Sequence, residues 1–537
     1  MSRRALALVI VVFLAWGSMG IWRSSFTLGG ERWFPLADDQ MVSMRYAKHL
    51  AEGRGLTWNA IPVPDDVAGP VEGFSNPLWT GVMALVHLTG LPAPLLGLVV
   101  KLLALLCLAA NLGVVRHLAR AVAPGRPVAE WAAVALTALS APLLYWAVMG
   151  FEVALLVLLV DLALQGVVRW RPEDGWRGLV APSAWLALAV WVRLDAAVVV
   201  AVVAAYVSWR ARDQEVLLGL VPLLVVGASL GLQTVARVAC FGEWLPNTYT
   251  LKMTGYPALL RMASGAIWLG LAAWGPGLLV ELPALGLAAW RGDARVRLLV
   301  GLVAAQAAYS VWVGGDAWEE NALANRFVSV GLPAFAVVIG WALARLSERP
   351  AFSRPLVAAL LLALAAVALE GKGDPERTAR WLAADLPYKA DDYRELTALS
   401  RAVADVTTPD ATLAVVWAGL VPYLTDRPAI DLLGKSDPRV ARSPAHTFEQ
   451  VGATFLWRNP TGTAWGHFYP GHLKWDYAWS VGDLKPDVIV QQWGPPADLA
   501  PYLKDYGAVA LGGEQRLTVA LRKGSPRVRW DVLGRTR

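Results

Sequence analysis

Charge is scarce in this 537-residue chain and cysteine scarcer. Only 17% of residues are charged and 56% are hydrophobic, whereas soluble domains carry about a quarter charged residues. That balance excludes a soluble enzyme and a disordered chain. Two cysteines, Cys107 inside an apolar block and Cys240 at the end of another, offer neither metal spacing nor a disulfide framework. No run of four Lys or Arg occurs, so the net charge of +6 gives no sign of a nucleic-acid partner; it reads as the loop charge of a membrane protein. P-loop, dinucleotide-binding glycine signature, Ser-His-Asp order and zinc spacing are also missing.

What is abundant is apolar sequence in blocks long enough to cross a hydrocarbon core about 30 Å thick. Spans are predicted at 5–22, 77–115, 131–148, 151–168, 179–192, 194–209, 217–238, 264–290, 298–313, 326–345 and 355–369. The first follows Arg3 and Arg4 like a signal peptide but has no small-residue cleavage site, so it is read as a retained span. Arginines cluster at 116/120/126, 169/171/177, 210/212, 291/295/297 and 345/349/354. With 77–115 counted as one net crossing, all of these fall on the cytoplasmic side. Eleven crossings follow, and twelve or thirteen helices remain open because Leu91-Pro92-Ala93-Pro94 interrupts the second block and the two spans around Arg193 and Asp195 are short. Residues 1–370 are thus a transmembrane core with a first outer loop at 23–76. Residues 371–537, with 21 basic and 19 acidic side chains, read as an extracytoplasmic soluble α/β domain. Its helix is expected at Asp391 to Val406, and its strands at Thr412–Trp417, Pro428–Leu433, Asp487–Gln491 and Leu517–Leu521.

The outward loops hold the chemistry. Asp38-Asp39 opens a stretch in which Met41, Met44, Ala47 and Ala51 fall at helical spacing, as in an amphipathic helix on the membrane surface. One carboxylate there can take a proton from a hydroxyl while the other orients it or holds a metal; equally, an acidic pair at a helix start is ordinary capping. Arg45 and Tyr46 follow, and Glu72 and Asn76 sit just before the next span, either in a site or in a plain turn. Glu152 stands at the mouth of a span. Arg193 and Asp195 are ionisable groups beside apolar spans, where charge is costly and functional or paired; two residues apart on a helix, they would not face each other. Asn247, Tyr249 and Lys252 share one outer loop, and Asp316 with Glu319, Glu320 and Arg326 another. Lys252 and Arg326 can hold a lipid phosphate or snorkel to headgroups, and Asp316 can bind sugar or finish a turn.

Several of these runs together resemble a known family. Asp38 to Tyr46, Glu52-Gly53-Arg54-Gly55-Leu56 and Val71-Glu72-Gly73-Phe74-Ser75-Asn76-Pro77-Leu78-Trp79 are similar to the bacterial GT-C membrane glycosyltransferases related to the terminal mycobacterial cell-wall arabinofuranosyltransferase. So are Trp146 to Glu152, Arg193-Leu194-Asp195, Leu245-Pro246-Asn247-Thr248-Tyr249 with Lys252, Val313-Gly314-Gly315-Asp316 with Arg326-Phe327, and Pro422-Tyr423 to Asp431-Leu432-Leu433-Gly434 with Asp437-Pro438. Two stretches depart from the family spacing, Pro62 to Asp66 and Ala317 to Leu323, and leave the acceptor open.

The resemblance implies a GT-C enzyme of the bacterial cytoplasmic membrane, N-terminus inside, that moves a sugar from a polyprenyl-phosphate donor to an acceptor glycan on the outer face. Arabinofuranose or another pentose is the expected sugar. Asp38, ahead of Asp39, takes the catalytic carboxylate's role. Arg45, Arg193, Lys252 and Arg326 are the expected ligands of the donor phosphate; Tyr46, Glu72, Asn76, Glu152, Asp195, Asn247, Tyr249 and Asp316 are the expected sugar or acceptor contacts. Mg²⁺ or Mn²⁺ is compatible with the carboxylates, but no metal-ligand set is assigned. A transporter or lipid-linked sugar flippase would need two matching halves, and no internal repeat is visible; a glycan-binding scaffold is the third reading.

Overall fold

A computed structural model describes residues 1–63, 69–275, 277–319, 324–348, 354–369, 374–386, 390–451, 454–512 and 517–533. Pro64, Asp65, Asp66, Glu320 and Arg349, together with 321–323, lie outside them.

Each predicted span holds helix, and the breaks fall where helix-breaking residues stand. In chain order, α1 (Arg3–Arg23) is followed by a hairpin of β1 (Phe26–Leu28) and β2 (Glu31–Trp33) and by α2 (Asp38–Ala51). The block 77–115 divides into α3 (Pro77–His87) and α4 (Ala93–Val122). Gly90 at φ +70 and Pro92 separate them, as expected of residues that cannot continue a helix. Next come α5 (Pro127–Ala138), α6 (Ala141–Val148), α7 (Val153–Arg169), α8 (Arg177–Val192), α9 (Ala197–Arg210), α10 (Leu220–Phe241) and α11 (Asn247–Met253). The stretch predicted as one span at 264–290 is instead α12 (Ala258–Ala273) and α13 (Leu278–Arg291), bent 108° from each other. Then follow α14 (Ala294–Val313), the single turn α15 (Arg326–Ser329), α16 (Leu332–Leu346) and α17 (Arg354–Ala368). Among the described residues four helices are long and apolar enough to cross a membrane alone. Counting each bent pair, α5 with α6 and α12 with α13, as one span makes six. Helices α8 and α16 are shorter and apolar.

The chain separates into two compact units, neither contiguous in sequence. One comprises Met1–Arg23, Lys101–Gln233 and Gly265–Pro387; the other comprises Ser24–Val100, Thr234–Ser264 and Tyr388–Arg537. In the first, α5 packs on α16 and α7 on α8. Small residues make this possible: a Cβ on Gly340 would stand 2.6 Å from the Ala129 carbonyl oxygen, and one on Gly166 2.5 Å from Pro182. A buried hydrogen bond from Asn111 to Asp161, 2.8 Å, ties α4 to α7.

Helix α18 (Pro375–Leu382) belongs to the first unit; in the second, α19 (Ala390–Asp405) precedes a five-stranded sheet. Its strands are β3 (Leu413–Val415), β4 (Ala429–Asp431), β5 (Val488–Ile489), β6 (Tyr506–Leu511) and β7 (Leu517–Arg522), in the order β4-β3-β5-β7-β6. β4, β3 and β5 are parallel; β7 runs antiparallel to β5 and pairs antiparallel with β6. Four strands and the helix match the sequence expectation, and β6 is additional. The short helix α20 (Leu420–Thr425) joins β3 to β4. Helix α2 forms where the spacing predicts it, yet Gln40 to Ala47 are all buried, as is His49. It is enclosed by α3 and α20 rather than laid with one apolar stripe on a surface.

Candidate active site

Asp38 begins α2 but does not cap it. Ala37 is the cap residue, and no side chain closes the helix end. Instead the Asp38 carboxylate accepts the backbone N–H groups of Leu420, at 2.8 Å, and Gly419, at 3.2 Å. Its own backbone N–H donates to the Tyr393 hydroxyl, 3.0 Å away. The approach requires a glycine, because a Cβ at position 419 would run into the Asp38 carbonyl oxygen, Met41 and the Val42 nitrogen. The side chain keeps partial access to solvent, but the protein packed round it pushes its pKa from the ordinary carboxylate range up to about 7. The Leu420 N–H and the Lys435 ammonium pull the other way, and the Asp39 charge adds to the rise.

Asp39 forms a close ion pair with Lys435. Burial disfavours that ammonium, but Asp39, Asp38 and Asp431 hold it above its ordinary range. Lys435 sits on a turn built by Asp431, whose carboxylate accepts the N–H groups of Leu433 at 3.0 Å, Gly434 at 3.2 Å and Ser436 at 2.7 Å. Asn247 braces the same turn by donating to the carbonyls of Gly434 and Lys435, both at 2.9 Å. The quoted blocks Asp431–Gly434 and Asp437-Pro438 bracket Lys435, which sequence reasoning passed over. Their spacing around a lone lysine is the signal that would have found it.

The other expected residues of this unit are placed as follows. Arg45 is buried, donating to the carbonyl of Trp58, to Asn59 at 2.9 Å and to the Arg427 carbonyl at 2.7 Å. Its guanidinium therefore ties α2 to the loop after it and to the strand region of the C-terminal domain. Tyr46 donates to the Val71 carbonyl and accepts from the Gly73 N–H at 3.0 Å. Asn76 accepts from Ser43 at 2.8 Å and donates to Gln40 at 3.1 Å, so it fastens α2 to the start of α3. Glu72 pairs closely with Arg237 of α10. Tyr249 is 46% exposed. Lys252 is partly buried, with its stem against Gly471. Glu72, Phe241, Glu243, Asn247, Thr250 and Arg442 line a polar cavity of about 210 Å³.

In the first unit the remaining five expected residues fall into two ion pairings. Arg193 donates to Glu152 at 2.7 Å and to Asp195 at 2.9 Å. The expectation that Arg193 and Asp195 would not face each other assumed helix; the backbone is extended at Arg193, φ −156 and ψ 133, and turns through 194–196, which brings the two side chains together. Arg326 grips Asp316 with two bonds of 2.6 Å, its guanidinium 4.7 Å from the centre of the Phe151 ring. Asn325 caps α15 and binds Ser310 and Glu319. This unit also has an apolar cavity of about 350 Å³, lined by residues that include Leu269, Trp274, Leu282, Phe335, Ile339 and Val367. Among the described residues no group of three or more His, Cys, Asp or Glu is placed to hold a metal ion.

Comparison with known proteins places this architecture. Residues 377–524 match a family profile described as a domain of unknown function, DUF8728, and no curated protein matches the chain. Among solved structures, the oligosaccharyltransferase AglB from Archaeoglobus fulgidus, in complex with an inhibitory peptide and a dolichol-phosphate, superposes with a TM-score of 0.57 at 12% identity, over 98% of this chain and 74% of that one. ArnT from Cupriavidus metallidurans bound to undecaprenyl phosphate gives 0.57 at 14% identity, over 98% and 99%. At such identity the likeness is one of fold: a polytopic helical membrane core of GT-C type with a C-terminal domain that carries the sheet.

Proposed function

We propose that this protein is a polyprenyl-phosphate-sugar-dependent glycosyltransferase that passes a sugar, a pentofuranose before others, to an acceptor glycan on the outer face of the cytoplasmic membrane. The observation that carries the reading is the Asp38, Asp39 and Lys435 constellation: a carboxylate with a pKa of about 7 beside a second one neutralised by a lysine. A base works best when its pKa lies near the operating pH. Asp38 takes the proton of the acceptor hydroxyl as that oxygen attacks the anomeric carbon. The bond from that carbon to the phosphate oxygen breaks, and polyprenyl phosphate leaves with the negative charge. Lys252 is the cation assigned to that charge. Arg193 and Arg326 are committed to carboxylates and Arg45 to carbonyls, so their part is to hold the scaffold.

Two further features support the reading. The fold is shared with proteins whose structures contain dolichol-phosphate and undecaprenyl phosphate, and the apolar cavity suits an isoprenoid chain. The polar cavity beside Glu72 and Asn247 suits sugar hydroxyls. No step is routed through a metal, because Asp38 is engaged by N–H groups and Asp39 by Lys435. The test is release of polyprenyl phosphate from a panel of lipid-linked sugars by the purified protein, with Asp38→Asn and Asp39→Asn alongside. Release from one donor that either substitution abolishes is expected. Silence across the panel with acceptor glycans present would return the protein to the transporter or scaffold readings.

A further inference from the structure

The segment Tyr469-Pro470-Gly471-His472 of the C-terminal domain contains none of the residues expected from the sequence to form the site, yet it folds over the stem of Lys252. Gly471 adopts φ +77, and a Cβ there would stand 3.2 Å from Lys252 Cε and 3.5 Å from Leu251 Cδ2. Glycine meets both the space and the backbone requirement. The Tyr469 ring stacks on His472 with centroids 4.0 Å apart and planes within 10°. Trp493 stands 5.3 Å from the imidazole and donates its indole N–H to the His472 carbonyl at 2.9 Å. These contacts fix the ring's orientation.

His472 Nδ1 lies 3.0 Å from the Pro470 carbonyl oxygen. A carbonyl only accepts, so Nδ1 carries the proton and Nε2 keeps a lone pair. The residue is partly open to solvent and stands in the field of Lys435, Asp39 and Lys252. We propose that His472 Nε2 accepts a hydrogen bond from a sugar hydroxyl, which makes residues 469–472 a specificity element supplied by the C-terminal domain; this deepens, and rests on, the glycosyltransferase reading. Burial lowers the imidazole pKa to about 3, with the lysines adding to the fall and the Pro470 carbonyl and Asp39 opposing it. The ring is therefore a permanent acceptor at neutral pH and is not the base. Such a site favours a free hydroxyl over the deoxy or O-methyl sugar, which would leave Nε2 without a donor.

The hydroxyl belongs either to the donor sugar or to the acceptor glycan, and the experiment separates them. His472→Phe keeps a ring for Tyr469 but removes the acceptor; His472→Gln restores an acceptor oxygen. With the full-length protein in detergent, the donor KM is measured in hydrolysis without acceptor and the acceptor KM in transfer at saturating donor. We expect His472→Phe to raise one of these about tenfold with little change in kcat or in the acid limb of the pH profile, and His472→Gln to recover most of the loss. The arm affected names the source. Unchanged KM in both arms overturns the proposal, as does a loss confined to kcat. Independently of activity, diethyl pyrocarbonate labelling mapped by mass spectrometry at pH 6 is expected to modify His472, and methyl glycosides of arabinofuranose, mannose and xylose are expected to protect it. An unlabelled or unprotected His472 overturns the proposal, while an inactive wild type that still shows protection overturns only the enzyme reading.

Discussion

The Asp38 carboxylate accepts the Leu420 backbone N–H at 2.8 Å across 382 positions of sequence. A carboxylate met by N–H donors is held in place without being neutralised, and burial then decides how readily it takes a proton. Its pKa of about 7 gives the first expectation. If Asp38 is the base, the transfer rate rises with pH through about 7 and levels off above it, and Asp38→Asn loses roughly 10²–10⁴ of the rate. A flat profile from pH 5.5 to 8 would remove Asp38 from the role.

The same shift has a stability consequence of fixed sign. A carboxyl whose folded-state pKa is raised contributes most below its unfolded value, near 4, and loses that contribution as pH rises through about 7. Asp38→Asn, which has no charge to bury, should therefore be more thermostable than wild type at pH 8, and the gap should close by pH 5. Melting curves in one detergent at both pH values check this; a gap that widens on acidification contradicts it.

Lys435 keeps the two carboxylates from repelling each other. Replacing it with Met leaves Asp39 without this cation and moves the acid limb of the rate profile upward by about one unit. Lys435→Arg should return it most of the way. Asn247→Ala, which removes both bonds that brace the lysine's turn, should lower kcat without moving the limb. If Asn247→Ala moves the limb as far as Lys435→Met does, the turn and the charge have not been separated.

Gly419→Ala should be destabilising by about 1–3 kcal/mol, since its Cβ meets backbone of α2 that cannot yield like a flexible side chain. Gly507→Ala is the control, with nothing within 4 Å of the new Cβ. Equal melting temperatures for the two variants would contradict the close approach.

In the other unit, Asp316→Ala leaves the buried Arg326 guanidinium without its bidentate partner and should destabilise by about 3–5 kcal/mol. Removing both charges with Asp316→Ala and Arg326→Met should cost less than the single change. A double variant less stable than Asp316→Ala would show that the pair is not the determinant.

The sequence by itself settled the class. Apolar blocks of membrane-spanning length leave few options, because hydropathy is additive along a chain and needs no partner. Prolines marked the break after His87 for the same local reason, whereas 264–290 read as one span and the structure divides it into α12 and α13. The helix at 38–51 and four of the five strands of the C-terminal sheet were legible from period; the hairpin β1–β2 was not, nor was β6, Tyr506–Leu511, whose Ala and Gly residues carry too weak a strand signal. Tertiary structure decided the rest. The spacing of Arg193 and Asp195 argued against a pair until the backbone left the helix, and the Asp38-Asp39 pair looked like a cap until Gly419 brought distant N–H groups to it. Lys435 meets Asp39, and the segment of His472 meets Lys252, from remote parts of the chain. The blocks on either side of Lys435 point to its position, but the proton affinity and the partners of a lone lysine or histidine are set by what the fold packs around it, and no local pattern encodes that.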